Sequence, residues 1–156
     1  MKILDRKYTA YHEAGHAVAY LRYGVFPSGM ELYDNLSGIV HHYTAPGYID
    51  IVSEDPRLKW QEGMYLLAGP IAELMAKGAN APEGVINGAS DDLDKVLALF
   101  PDKGERYMIQ SDTVGVLEEN WQLCQVLARL VYDLGYLHRD DLIHLWYRYR
   151  HNYGNA

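Results

Sequence analysis

Apolar positions recur at alternating intervals of three and four along most of this chain, and that spacing predicts a mainly helical protein. The first such run starts near Asp5 or Thr9 and stops at Gly24, a residue type that commonly closes helices in the left-handed conformation. From Val25 to Val52 the pattern changes. Pro27, Gly29, Gly38, Pro46 and Gly47 punctuate short runs rich in β-formers, and Ser37 to Thr44 reads as a strand within a small sheet or hairpin. Asp55-Pro56 then reads as an N-cap followed by the first helical residue. The stripe Trp60, Met64, Leu67, Ile71 and Leu74 carries that helix to Gly78, and Pro70 inside it predicts a kink.

Residues 78 to 90 hold Gly, Asn, Pro and Ser and read as a loop. Ser90 can cap a helix from Asp91 to about Phe100, stopped by Pro101, and Phe100 to Asp112 reads as a further loop. The strongest helical pattern runs from about Thr113 to Leu134, where Val114, Leu117, Trp121, Cys124, Ala128 and Val131 form one apolar face. Gly135 ends it, and a last helix from about Asp140 to Tyr149 folds back. The expected fold class is α+β, mainly α with a small β-sheet, in a single domain over 1–156.

Composition narrows the function classes. The chain has 156 residues, 49% of them hydrophobic, enough for one sizeable core. A net charge of −7 with a sequence pI near 5.4 argues against nucleic acid as a partner. No apolar run approaches the roughly 18 residues of a membrane span, and Met1 to Asp5 holds no signal-peptide core. The single cysteine, Cys124, fits a reducing cytoplasm and, on its apolar stripe, reads as core. No phosphate-cradling loop, internal repeat or low-complexity segment is present.

The candidate chemistry lies in His12-Glu13-Ala14-Gly15-His16. On a helix, His12 and His16 project from one face toward a single point, and two neutral imidazoles at that spacing can hold one Zn²⁺. Glu13, between them, can take a proton from a water that the metal activates. The plainer alternative is a surface helix that happens to carry two histidines. A catalytic zinc also needs a third protein ligand and an open position for water. Asp91, Asp92 and Asp94 are candidates, although carboxylates are favoured in any first helical turn.

Ala10 to Ala17 resembles the start of the peptidase domain of FtsH-type zinc metalloproteases. Leu66-Leu67-Ala68-Gly69-Pro70-Ile71-Ala72-Glu73 is similar to that family's Gly-rich helix segment, and Asn87-Gly88-Ala89-Ser90-Asp91-Asp92-Leu93 to its Thr-Gly-Ala-x-Asn-Asp-Leu segment. Leu117 through Leu142 resembles its closing helical hairpin. The resemblance implies a zincin-like metal-motif helix packed in a helical bundle. It implies one zinc held by His12, His16 and Asp92, with Glu13 as the catalytic base. Three departures stand out: neither the family's ATPase module nor its membrane segments occur in these residues, Pro70 replaces a basic residue, and Phe100 to Asp112 does not align. The expected activity is therefore ATP-independent hydrolysis of flexible or unfolded polypeptides. The alternative is a catalytically idle zinc-binding module that regulates or binds another protein.

Other residues carry weaker expectations. Glu73 can accept the free N–H of a ligating histidine, or be a solvated glutamate. Gly38, Ile39, Val40 and His41 can bind an extended peptide edge-on. His41 or His42 could stabilise an oxyanion, though solvent-facing strand residues are the commoner outcome. His138 and His144 have no ligand-spaced partner. The tail from Trp146 to His151 mixes residue types enriched at interfaces, so a homo-oligomer or partner surface stands beside a simple helix end.

Overall fold

The computed structural model describes residues 2–34, 37–42, 48–78 and 91–152. Helix α1 spans Lys2–Arg22, beginning earlier than the apolar spacing suggests, and Gly24 stops it with a φ of 77°. Strands β1 (Gly29–Leu32) and β2 (Gly38–His41) pair antiparallel, with Gly29 opposite His41 and Leu32 opposite Gly38. Thr44, the expected end of β2, lies outside the described residues. Then come α2 (Tyr48–Glu54), α3 (Pro56–Ala76), α4 (Asp91–Leu99), α5 (Lys103–Glu119) and α6 (Trp121–Leu134). Strand β3 (Tyr136–His138) and α7 (Arg139–Tyr149) are the last elements among the described residues. Among the described residues the sheet order β2-β1-β3 is antiparallel throughout and leaves β2 at an edge. This is the expected mainly α fold with a small sheet.

Four local expectations are corrected. Residues 48–54 are helical although rich in β-formers, because Val52 is fully buried where α2 packs on α3. The stretch read as a loop up to Asp112 is mostly α5, whose start is capped by the Asp102 carboxylate accepting from the Glu105 N–H at 2.9 Å. The pattern from Thr113 to Leu134 is not one helix. It breaks at Asn120, whose buried side-chain amide donates to the Val116 carbonyl (3.0 Å) while its carbonyl oxygen accepts from the His151 N–H (2.9 Å). The short strand β3 escaped notice because only three residues follow Gly135 before α7 begins. Helix α3 runs on through Pro70 without ending, and Ser90 with the loop before it lies outside the described residues.

The core is centred on α1 and α3, with α6 covering the other side of α1. Met64, Leu67 and Ile71 of the α3 stripe are buried, as are Leu117, Cys124, Ala128 and Val131 of the α5–α6 face. The two central helices approach closely because small residues meet: a Cβ on Gly15 would run into the Ala68 carbonyl oxygen and the Ala72 methyl. This accounts for a glycine in mid-helix, which otherwise costs about 1 kcal/mol relative to alanine. Gly15→Ala is expected to destabilise the protein by about 1–3 kcal/mol through overpacking. A lowered thermal unfolding midpoint checks it; an unchanged or raised midpoint would show that α1 and α3 part without cost.

Candidate metal centre

The close approach of α1 and α3 decides how the two histidines are held. His16 and His12 stand on the face of α1 turned to α3, and the His16 ring lies where a side chain at Gly69 would be. His16 Nδ1 donates to the Tyr65 carbonyl at 2.6 Å. His12 Nδ1 lies 3.3 Å from Glu73 Oε1, and Glu73 Oε2 accepts from Lys77 Nζ at 2.8 Å. A carbonyl can only accept, so His16 carries its proton on Nδ1 and, when neutral, turns a lone pair at Nε2 into the site. Glu73 orients His12 in the same sense.

Asp92, in the first turn of α4, completes the group. Its Oδ2 lies 3.2 Å from His12 Nε2 and 3.3 Å from His16 Nε2, and the two Nε2 atoms are 3.2 Å apart. A zinc held tetrahedrally by N and O ligands at about 2.0–2.1 Å sets their atoms about 3.3–3.4 Å apart, so the triangle has the edge length such an ion requires. The donor set, two imidazoles and a carboxylate, also suits it. His12, His16 and Asp92 can therefore hold a metal ion. Asp91 is exposed on the cleft rim and Asp94 is exposed elsewhere on α4; neither joins the triangle.

Electrostatics follow from this crowding. Burial opposes a charge on His12, but the Asp92 and Glu73 carboxylates outweigh it and raise the imidazole to about 9. Asp92, which burial alone would raise, is driven well below the usual carboxylate range by His12 and His16. The hydrogen bond with His12, opposed by burial and helped by Lys77, holds Glu73 down at about 2. Glu13 is 7% exposed, and burial pushes its carboxyl up against the pull of His16 and His12.

The triangle and Glu13 open on a cleft of about 660 Å³ whose lining includes Gly38, Ile39 and Val40 of β2, with Gly38 packed against Glu13. His41 does not line it; its Nε2 meets Glu31 Oε1 at 2.8 Å on the neighbouring strand. His42 does, 3.2 Å from the Tyr20 hydroxyl. A separate groove of about 740 Å³ between α1 and α6 shares none of this lining and holds no metal-ligating group. The chain matches no protein-family model and no curated protein.

The remaining candidates fall elsewhere. Cys124 is fully buried in the core, and burial pushes its thiol up. His138 and His144 are exposed, and neither belongs to a metal-ligating group among the described residues. Trp146 of the tail is buried and Tyr147 is exposed. The Tyr65 carbonyl was beyond sequence reasoning, since backbone acceptors leave no residue signal. Tyr20 was not: it continues the stripe His12, His16 at the next helical turn.

At about pH 7.5 the metal-free His12 carries a proton that must leave before Nε2 can ligate. Metal uptake is therefore expected to release about one proton per site, with affinity rising as pH rises toward 9. Calorimetry in buffers of different ionisation enthalpy measures this, and proton-neutral uptake would contradict it. Glu73→Gln is expected to weaken metal binding about 10–100-fold, which a competition titration against a chromogenic chelator measures.

Proposed function

We propose that this chain is a zinc-dependent metalloendopeptidase acting on flexible or unfolded polypeptides. The observation that carries the reading is the triangle itself: three ligand atoms at tetrahedral edge length, both imidazoles anchored through Nδ1, and a buried glutamate beside them in a cleft. His12, His16 and Asp92 would hold the ion, whose bound form supplies Lewis acidity and lowers the pKa of water toward neutrality. Glu13, whose carboxyl burial makes more basic, accepts a proton and returns it to the leaving amine. The likeness of Ala10–Ala17 and of the segments at Gly69 and Asp92 to FtsH-type peptidase domains supports the same assignment.

Strand β2 supplies a place for the substrate backbone. The Tyr33 N–H donates to the Ser37 carbonyl at 2.8 Å, and alternation from that pair directs the polar groups of Ile39 toward β1. Those of Gly38 and Val40 then point outward from the sheet edge, where an extended chain can pair with them. Pairing of this kind needs unfolded backbone. His41 would not pair with that chain, since its carbonyl accepts from the Ser28 N–H at 2.8 Å and its side chain is turned to Glu31. Among the described residues no helix is long and apolar enough to cross a membrane.

Purified protein is expected to bind one zinc per chain, lost in His12→Ala and Asp92→Ala, as elemental analysis would show. Glu13→Gln should keep the zinc and cleave denatured casein at least about 100-fold more slowly. Full zinc occupancy with no cleavage of any unfolded protein by the parent chain would favour the idle zinc-binding module instead.

A further inference from the structure

Past the metal triangle the cleft continues between α1, α2 and α3 into a chamber that the hydrolytic step does not use. Tyr20 follows His16 by one turn, about 6 Å along α1, and its ring lies 4.5 Å from that of Tyr65 between centroids, tilted by 36°. Tyr48, the first residue of α2, donates its hydroxyl to Glu62 Oε2 at 3.0 Å. Tyr20, Tyr48, Glu62 and Tyr65 line the same cleft as His12 and His16. Burial, with Glu62 adding to it, pushes the Tyr65 hydroxyl up to about 12 and those of Tyr20 and Tyr48 higher still. The rings are therefore neutral, and Glu62 is the charge among them.

Glu62 has no cationic partner in any ion pair among the described residues. Lys59, one turn earlier on α3, is instead placed over the Phe100 ring at 4.8 Å. The Tyr20 ring packs against both Tyr65 and His42, so a half-buried carboxylate that joins no ion pair among the described residues attracts a cation chiefly through its charge, with the ring quadrupoles adding to it. An apolar side chain entering there would desolvate Glu62 without compensation, and an acidic one would be repelled. The four-carbon stem of a lysine, or the stem of an arginine, could lie against the rings while its charged head meets the carboxylate.

We infer that this chamber is a specificity pocket for the side chain of a lysine or arginine in a polypeptide lying along β2, with Glu62 as the residue that selects it. This rests on the peptidase reading of the same cleft, and its test does not depend on turnover. The probes are fluorescein-labelled, N-acetylated octapeptides with Lys, norleucine or Glu scanned through the four central positions of an otherwise Ala/Gly sequence. Acetylation removes the terminal ammonium, so any cation recognised is a side chain.

Anisotropy titrations on zinc-loaded Glu13→Gln protein should show, at one position, Lys binding about tenfold tighter than norleucine, and Glu weakest. Adding Glu62→Gln should bring the Lys-to-norleucine ratio to within twofold of one. Adding Glu62→Lys should reverse the order and favour Glu, with circular dichroism melts and zinc content reporting the fold of each variant. Equal affinities for the three peptides at every position, or a Lys preference that survives Glu62→Gln, would overturn the pocket. Cleavage sites mapped on denatured casein separate the two claims. Lys-selective binding without any cleavage removes the peptidase reading and keeps the pocket, whereas cleavage without selective binding does the reverse.

Discussion

Three acceptor atoms pointed at one another are the constraint on which the site depends. His12 Nε2, His16 Nε2 and Asp92 Oδ2 lie 3.2 to 3.3 Å apart. The Tyr65 carbonyl and Glu73 claim the opposite ring nitrogens, which directs both Nε2 lone pairs inward. Such an arrangement is repulsive unless something positive lies among the three atoms. In the metal-free protein the proton on His12 fills that role, and a divalent cation would fill it better, because it can accept all three lone pairs at once.

Holding these atoms so close requires a rigid frame, and the α1–α3 interface supplies it. Gly15 against Ala68 and Ala72 lets the helix backbones approach, and Gly69 leaves room for the His16 ring. The antiparallel run of α3 then sets Glu73 beside His12, the Tyr65 carbonyl beside His16, and Glu62 near Tyr20. One helix pair thus provides two candidate metal ligands, both of their anchors and most of the chamber beyond. Asp92, the strand wall and Tyr48 of the chamber come from other elements.

Much of this was legible in residue spacing. His12, Glu13 and His16 are local to one helix, and 3.6-residue periodicity alone brings the two imidazoles to one face. The stripe ending at Leu74, the N-cap at Asp55, the stops at Gly24 and Gly135, and the core position of Cys124 were readable for the same reason. What misled was competition between levels. The β-formers of residues 48–54 yield to burial of Val52, and the continuous apolar face from Val114 to Val131 hides a break made by the side chain of one asparagine. Lys103 to Asp112 escaped because Ile109 and Gln110, its buried residues, are flanked by exposed ones, Met108 and Ser111 among them, and form no repeating stripe.

From sequence alone came a mainly helical chain with a minor sheet and two histidines poised on one helix face around a glutamate. These are short-range properties, decided by backbone periodicity and side-chain type. The choice of Asp92 over Asp91 and Asp94, the lone pairs directed by a backbone carbonyl, the turning of His41 toward Glu31, and the gathering of Tyr20, Tyr48, Tyr65 and Glu62 on one cleft were decided by tertiary structure. Each depends on where elements distant in sequence come to rest against one another, and helical or strand periodicity carries no information about that.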